Sequence, residues 1–215
     1  MRNAVGSTRV GGRALVAAVL AAALATTAAG CSGSKPSADK CRSVPAELID
    51  VPTRTDQEPK MRVPLPPGWE RSTKLDSEQI RFAIRNPGLS TDGFTPNAVV
   101  TLQKVGLEVG KPDQILQAQN DQLTKKLRAT DLKSTPTEVC GATALSSTYA
   151  APEMKLSKKV PPIPPRNATS LGVVYRAKDS YYVATLTVQT VKPDNETYKT
   201  DSEMILKGFQ LLPAG

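Results

Sequence analysis

The chain contains no histidine among its 215 residues. Ser-His-Asp and Cys-His nucleophile systems are therefore excluded, and so are the common zinc sites, which draw on histidine or several cysteines. Any catalysis would fall to carboxylates, lysine or tyrosine. Aromatic residues are few, with one Trp, five Tyr and three Phe, and they are scattered. A nucleic-acid surface interleaves aromatics with a clustered basic stripe, so nucleic acid is not expected as a partner. The three cysteines include no Cys-x-x-Cys, so a reactive thiol pair is not expected either. No apolar run approaches the ~20 residues that a spanning helix needs. No metal, cofactor or catalytic residue is expected.

What the chain does have begins at its amino terminus. Arg2, Arg9 and Arg13 form a basic leader without an acid, and residues 14–25 are an almost unbroken Ala/Val/Leu stretch. Ala28-Ala29-Gly30 then lead into Cys31. A secretory signal has these regions in this order. The ending resembles the lipobox of bacterial lipoproteins, which implies diacylglycerol on the Cys31 thiol and cleavage before it. An ordinary cleaved signal peptide, with Cys31 incidental, is the alternative. One acyl chain anchors a protein only marginally, so two or three on one cysteine suit stable attachment. The expected place is the outer, extracytoplasmic face of the cell membrane. Cleavage would remove three arginines from the 28 basic residues and none of the 20 acidic ones, leaving a net charge of +5. That mild basicity suits a surface near anionic lipid or wall polymer.

Cys41 and Cys140 remain. In an exported chain two cysteines are most simply a disulfide, with two buried free thiols as the alternative. Residues 32–40, rich in Ser, Gly, Lys and Pro, read as a flexible tether. Residues 41–215 are enough for one domain with a full core.

Within that domain the pattern alternates between strand and helix. Residues 61–65 are extended and are stopped by Pro66-Pro67-Gly68-Trp69. Ile80, Phe82 and Ile84, and then Ala98, Val100 and Leu102, keep the period of two that marks half-buried strands. Pro112 opens a helix with Ile115, Leu116, Leu123 and Leu127 as its stripe and Lys125, Lys126 and Arg128 at its end. Residues 137–140 and 142–150 are extended around Gly141. Leu171, Val173 and Tyr175 share one strand face, and Tyr182, Ala184, Leu186 and Val188 share another, making a hairpin. A last helix follows Asp194 or Asn195 as cap, with Tyr198, Ser202, Ile205 and Phe209 as its stripe and Gly208 as a left-handed C-cap. The class is α+β, an antiparallel sheet with helices.

Val63-Pro64-Leu65-Pro66-Pro67-Gly68-Trp69 resembles the signature near the start of the mycobacterial LpqN/LpqT-type lipoproteins. The Ala-Val-Val-Thr-Leu strand, the Tyr-Tyr-Val-Ala-Thr-Leu-Thr-Val strand and the closing Glu203-Met204-Ile205-Leu206-Lys207-Gly208-Phe209 follow that family's order. The resemblance covers about residues 60–212 and the lipobox, and it implies an actinobacterial source and a PsbP-like α/β/α sandwich, an antiparallel sheet flanked by helices. It carries no motif of catalytic residues. Neither the cysteine pair nor the proline insert comes from it.

The expected function is therefore a non-catalytic module, held to the membrane, that binds an envelope lipid, a glycan or a partner protein. A carboxylate-based envelope hydrolase or transferase is the alternative, and purely structural attachment to the wall a third reading. A deep apolar cavity would favour lipid, and two facing carboxylates in a polar cleft would favour the enzyme. Trp69 reads as a strand-entry anchor in preference to a ligand-stacking ring. Asp194, Glu196, Asp201 and Glu203 lack calcium-loop spacing and read as a solvated helix face. The candidate partner surface is the loop of residues 153–168, where Lys155, Lys158, Lys159 and Arg166 surround a proline run that is polyproline-like and exposed. A solvated loop is the plainer reading of the same residues.

Overall fold

The computed structural model describes residues 35–155 and 161–215. Cys31, Lys158 and Lys159 lie outside them. The described residues hold ten strands and two α-helices: β1 (Glu47–Val51), β2 (Lys60–Leu65), β3 (Glu70–Arg71), β4 (Ile80–Arg85), β5 (Asn97–Gly106), α1 (Pro112–Lys125), β6 (Thr130–Val139), β7 (Ala142–Ala151), β8 (Arg166–Arg176), β9 (Ser180–Thr190), α2 (Glu196–Gly208) and β10 (Gln210–Leu212). Seven strands form one antiparallel sheet in the order β3-β4-β5-β9-β8-β7-β6, and β1-β2-β10 form a second. The class is α+β, with α1 on one face of the large sheet and α2 with the small sheet on the other.

Strand alternation decides what each face holds. Ala98, Val100 and Leu102 of β5, Val173 of β8, and Ala184, Leu186 and Val188 of β9 point to the α2 side. There they meet Met61 and Val63 of β2, Ile205 of α2, and Phe209 and Leu211 beyond it. This is the main core, and burial of each large side chain contributes about 1.5–3 kcal/mol. Val174, Tyr181 and Val183 point the other way and pack with Leu145 under Ile115 and Leu116 of α1. Pro112 starts α1, and the Gln114 Oε1 accepts from the Lys111 N–H at 2.9 Å. Asn195 caps α2, its Oδ1 accepting from the Tyr198 N–H at 2.9 Å.

Cys41 and Cys140 form a disulfide across 99 residues. Cys140 and Gly141 are the two-residue loop between β6 and β7, with φ of 49° and 83°. Two consecutive positive φ values match a type I′ hairpin turn, where glycine is at home in the second place. The tether docks earlier than residue 40. Pro36 is buried, and the Ser37 N–H donates to the Cys140 carbonyl at 2.8 Å.

Three expectations need correction. Gly208 ends α2 without a positive φ, and Phe209 beyond it is extended. What that position needs is space, because a Cβ there would collide with the side chains of Val44 and Pro64. On α2 the buried face is Tyr198, Asp201, Ile205 and Gly208, so Asp201 replaces Ser202 in the stripe and is not part of a solvated face. It is buried because the Trp69 indole supplies its partner. Finally, β6 begins at Thr130, well before residue 137. It is an edge strand, exposed along most of its length, so it carries no apolar alternation and tolerates Pro136.

Candidate functional site

The helix α1 covers only part of its face of the sheet. It lies over β7 and β8, where Gly172 gives Leu116 room to approach. The same face of β5 and β9 stays open beside the helix, and a groove of about 250 Å³ runs between them. Thr101 and Gln103 of β5, Thr185 and Thr187 of β9, and Ser170 of β8 form its floor, and Gln119 and Gln122 of α1 form a wall. Tyr149, Ser147 and Asn120 close the β7 side. No lysine, arginine or carboxylate lines it. Its polar groups are donors and acceptors without charge.

Two hydrogen-bonded sets hold this surface in place. The Asn120 Nδ2 donates to the Ser134 Oγ at 2.7 Å, the Ser147 Oγ donates to the Asn120 Oδ1 at 2.8 Å, and the two serine hydroxyls lie 3.0 Å apart. This ties α1 to β6 and β7. At the far end of the same face the Arg166 Nε donates to the Gln189 Oε1 at 2.5 Å. The Gln189 Nε2 in turn donates to the Asn97 Oδ1 at 2.8 Å. Such rigid strand-borne groups suit recognition better than loop-borne ones.

The candidate loop residues are separated by the fold. Arg166 is 8% exposed and opens β8 on the groove side of the sheet. Burial pulls its pKa down from the usual guanidinium value, and the nearby Tyr149 works the other way. Burial likewise pushes the Tyr149 hydroxyl above the ordinary tyrosine range. Lys155 is exposed and pairs with Glu153 at 3.7 Å. The proline run is partly zipped to the incoming chain, because Met154 and Ile163 form a β-bridge. Arg166 and Lys155 are thus not on one basic surface.

Among the hollows bounded by described residues, one of about 400 Å³ holds two acids, Asp56 and Glu58. Glu58 is buried and bound at both oxygens by Arg81, at 2.6 and 3.1 Å, and also accepts from the Arg54 N–H at 2.8 Å. A carboxylate tied in this way is positioned as a structural ion pair.

Residues 43–212 match the family model described as "Probable lipoprotein LpqN". The chain belongs to the LpqN lipoprotein family. Among solved structures it resembles LpqN of Mycobacterium tuberculosis, described as involved in cell envelope biogenesis, with 17% identity and a TM-score of 0.58. That match covers 82% of this chain and 96% of that one, and it shows that the two share a fold. The Ran-binding protein Mog1p of Saccharomyces cerevisiae is similar at 12% identity and a TM-score of 0.43, covering 78% of this chain and 97% of that one. This second superposition is too loose to bear on function. Among curated proteins there is no significant match. No helix of the described residues is long and apolar enough to cross a membrane.

The groove residues of this LpqN-family chain were not singled out from sequence, although a signal was there. Thr101 and Gln103, and Thr185, Thr187 and Gln189, are the positions between the buried apolar ones on β5 and β9. Polar residues at these positions mean that nothing apolar covers this part of the face.

Proposed function

We propose that this protein is a cell-envelope lipoprotein, acylated on Cys31 on the outer face of the membrane, whose domain is a non-catalytic binding module. Its ligand is a neutral, hydroxyl-rich molecule, a glycan or the sugar part of an envelope lipid. The observation that carries this reading is the groove beside α1, which presents hydroxyl and amide groups around Leu116, Leu123 and Leu145 and holds no charged side chain. Amide and hydroxyl groups match sugar hydroxyls by donating and accepting, and Tyr149 adds an apolar edge. The groove is small, so one or two sugar rings fit, and an acyl chain would find no deep apolar cavity there. The cell-envelope role of M. tuberculosis LpqN is consistent with the assignment. The hydrolase alternative needs an opposed pair of free acids, and Glu58 is held by Arg81.

The test is native purification of the anchored protein, followed by mass spectrometry of co-purifying lipids and glycans. Thr187→Arg places charge and bulk on the groove floor and should remove the bound glycan while leaving the melting temperature nearly unchanged. Undiminished recovery with T187R would take the groove out of consideration. Separately, Cys31→Ala should move the protein from the detergent phase to the aqueous phase.

A further inference from the structure

The disulfide decides more than stability, because it fixes where the anchor leaves the domain. Pro36 is buried, Ser37 bonds to the Cys140 carbonyl, and Cys41 is bridged to Cys140 on the β6–β7 turn. Only residues 32–35 separate an acylated Cys31 from that docked point. Five steps of at most ~3.6 Å give a reach of ~18 Å. One end of the domain must therefore stay close to the bilayer.

The strand registers show what else lies at that end. Val139 pairs with Ala142 at the β6–β7 turn, Ala144 with Val173, Arg176 with Tyr181 and Gly106 with Ser180. The β6–β7 turn, the β8–β9 turn and the loop after β5 are thus neighbours at one edge. The β3–β4 loop points the same way, since Gln79 accepts from the Leu102 N–H at 3.0 Å and β4 runs antiparallel to β5. Two large apolar side chains are exposed among the described residues, Leu75 at 51% and Val109 at 52%. Leu75 lies in the β3–β4 loop and Val109 in the loop after β5, so both are at the tethered end.

Charge at this end is mixed. Lys40, Lys74, Lys104, Lys111, Arg176 and Lys178 lie at this end without an ion-pair partner among the described residues, while Arg71 and Arg81 there pair with Asp76 and Glu58. Asp39, Glu58, Asp76, Glu78, Glu108, Asp113, Glu138 and Asp179 share this end, so its positive and negative charges nearly balance. Long lysine side chains can still reach headgroups past the shorter acids. A weak surface suffices here, because attachment through Cys31 makes contact with the bilayer intramolecular.

We propose that this end of the domain is a membrane-docking surface, with Leu75 and Val109 entering the headgroup region and the unpaired lysines meeting anionic lipid. The sheet then stands on the bilayer, with Trp69 and the amino end of α2 pointing away. This inference rests on the anchor at Cys31 and adds an orientation to it.

The experiment uses the full acylated chain in vesicles of phosphatidylcholine and phosphatidylglycerol carrying brominated acyl chains, which quench nearby indoles. Trp69, buried at the opposite end, gives the unquenched baseline in the unaltered chain. Insertion to ~5–10 Å should lower the added emission of Leu75→Trp and of Val109→Trp by about half, while Pro193→Trp at the far end stays bright. Protein left in the supernatant would overturn both the anchor and the docking. Protein that sediments with vesicles, with the L75W and V109W indoles as bright as the P193W indole, would leave the anchor standing and overturn the docking surface.

Discussion

The Trp69 Nε1 donates to the Asp201 Oδ2 at 2.8 Å, joining residues 132 positions apart in the chain. Both are buried, Trp69 at 5% and Asp201 at 6% exposure. The indole sits directly after the Pro66–Trp69 turn, where the Trp69 N–H donates to the Pro66 carbonyl at 3.1 Å and Gly68 has a φ of 83°. That geometry fits a type II turn with glycine in its third place. The turn thus aims the only tryptophan at the only buried acid of α2, pinning that helix to the start of β3.

This pair predicts an asymmetry between substitutions. Trp69→Phe keeps most of the apolar volume but leaves a buried carboxylate without its donor, and should cost about 3 kcal/mol or more. Asp201→Asn keeps an acceptor and should cost less than half as much. Urea unfolding of the two variants measures the difference, and equal losses would show that the hydrogen bond is not what holds α2.

The disulfide between Cys41 and Cys140 closes a loop of 99 residues, for which chain entropy gives up to about 4.7 kcal/mol. Replacing both cysteines by serine should lower unfolding stability by roughly 2–5 kcal/mol. Intact mass after alkylation, with and without reductant, checks the bridge itself. Two thiols labelled on the unreduced folded protein would contradict it.

Gly208→Ala separates local propensity from packing. Alanine is favoured over glycine in a helix by ~1 kcal/mol, so local preference alone expects a gain. The added methyl would meet Val44 and Pro64 at contact distances that require movement. A loss of about 1–3 kcal/mol is expected instead. Thermal unfolding gives the sign directly.

Two tyrosines give the protein an alkaline limit. Burial raises the pKa of Tyr198 strongly, and burial also raises that of Tyr149 against the opposing pull of Arg166. The folded state therefore prefers both hydroxyls protonated. Their contribution is fully present below about pH 10, the unfolded value, and is lost as pH rises beyond it, by up to ~1.4 kcal/mol per pH unit for each. Tyr198→Phe should flatten that decline. Absorbance titration of the unaltered chain and of Tyr198→Phe should show that the ionisation lost lies above the ordinary tyrosine range, and its loss from the ordinary range would count against the burial argument.

Some elements follow from local chemistry alone. Period-two alternation on β4, β5, β8 and β9, Pro112 at the start of α1 and Asn195 at the cap of α2 each report a short-range rule. The class and the family resemblance were legible for that reason. The amino-terminal leader is equally local, and its reading depends on residue order without any fold. Strands β1, β6 and β10 were not legible from residue 47, from residue 130 and beyond residue 209, because edge or short strands take their stability from partners and show no alternation of their own.

Tertiary structure decided the rest, because each remaining feature depends on residues far apart in the chain. The alternation could place Asp201 on a helix face, but only the approach of Trp69 makes that face the inner one. The proline loop and its cations read as one surface until β8 draws the Arg166 guanidinium down to Gln189. Thr101 and Thr187 become a groove only where β5 pairs with β9 and α1 stops short of covering them. The sequence determined the alternating strands and the caps through interactions within a few residues, and the cysteine pair through the small number of cysteines. The groove, the buried acid and the end of the sheet where Pro36 and Ser37 dock were set by packing between distant segments, which no local pattern records.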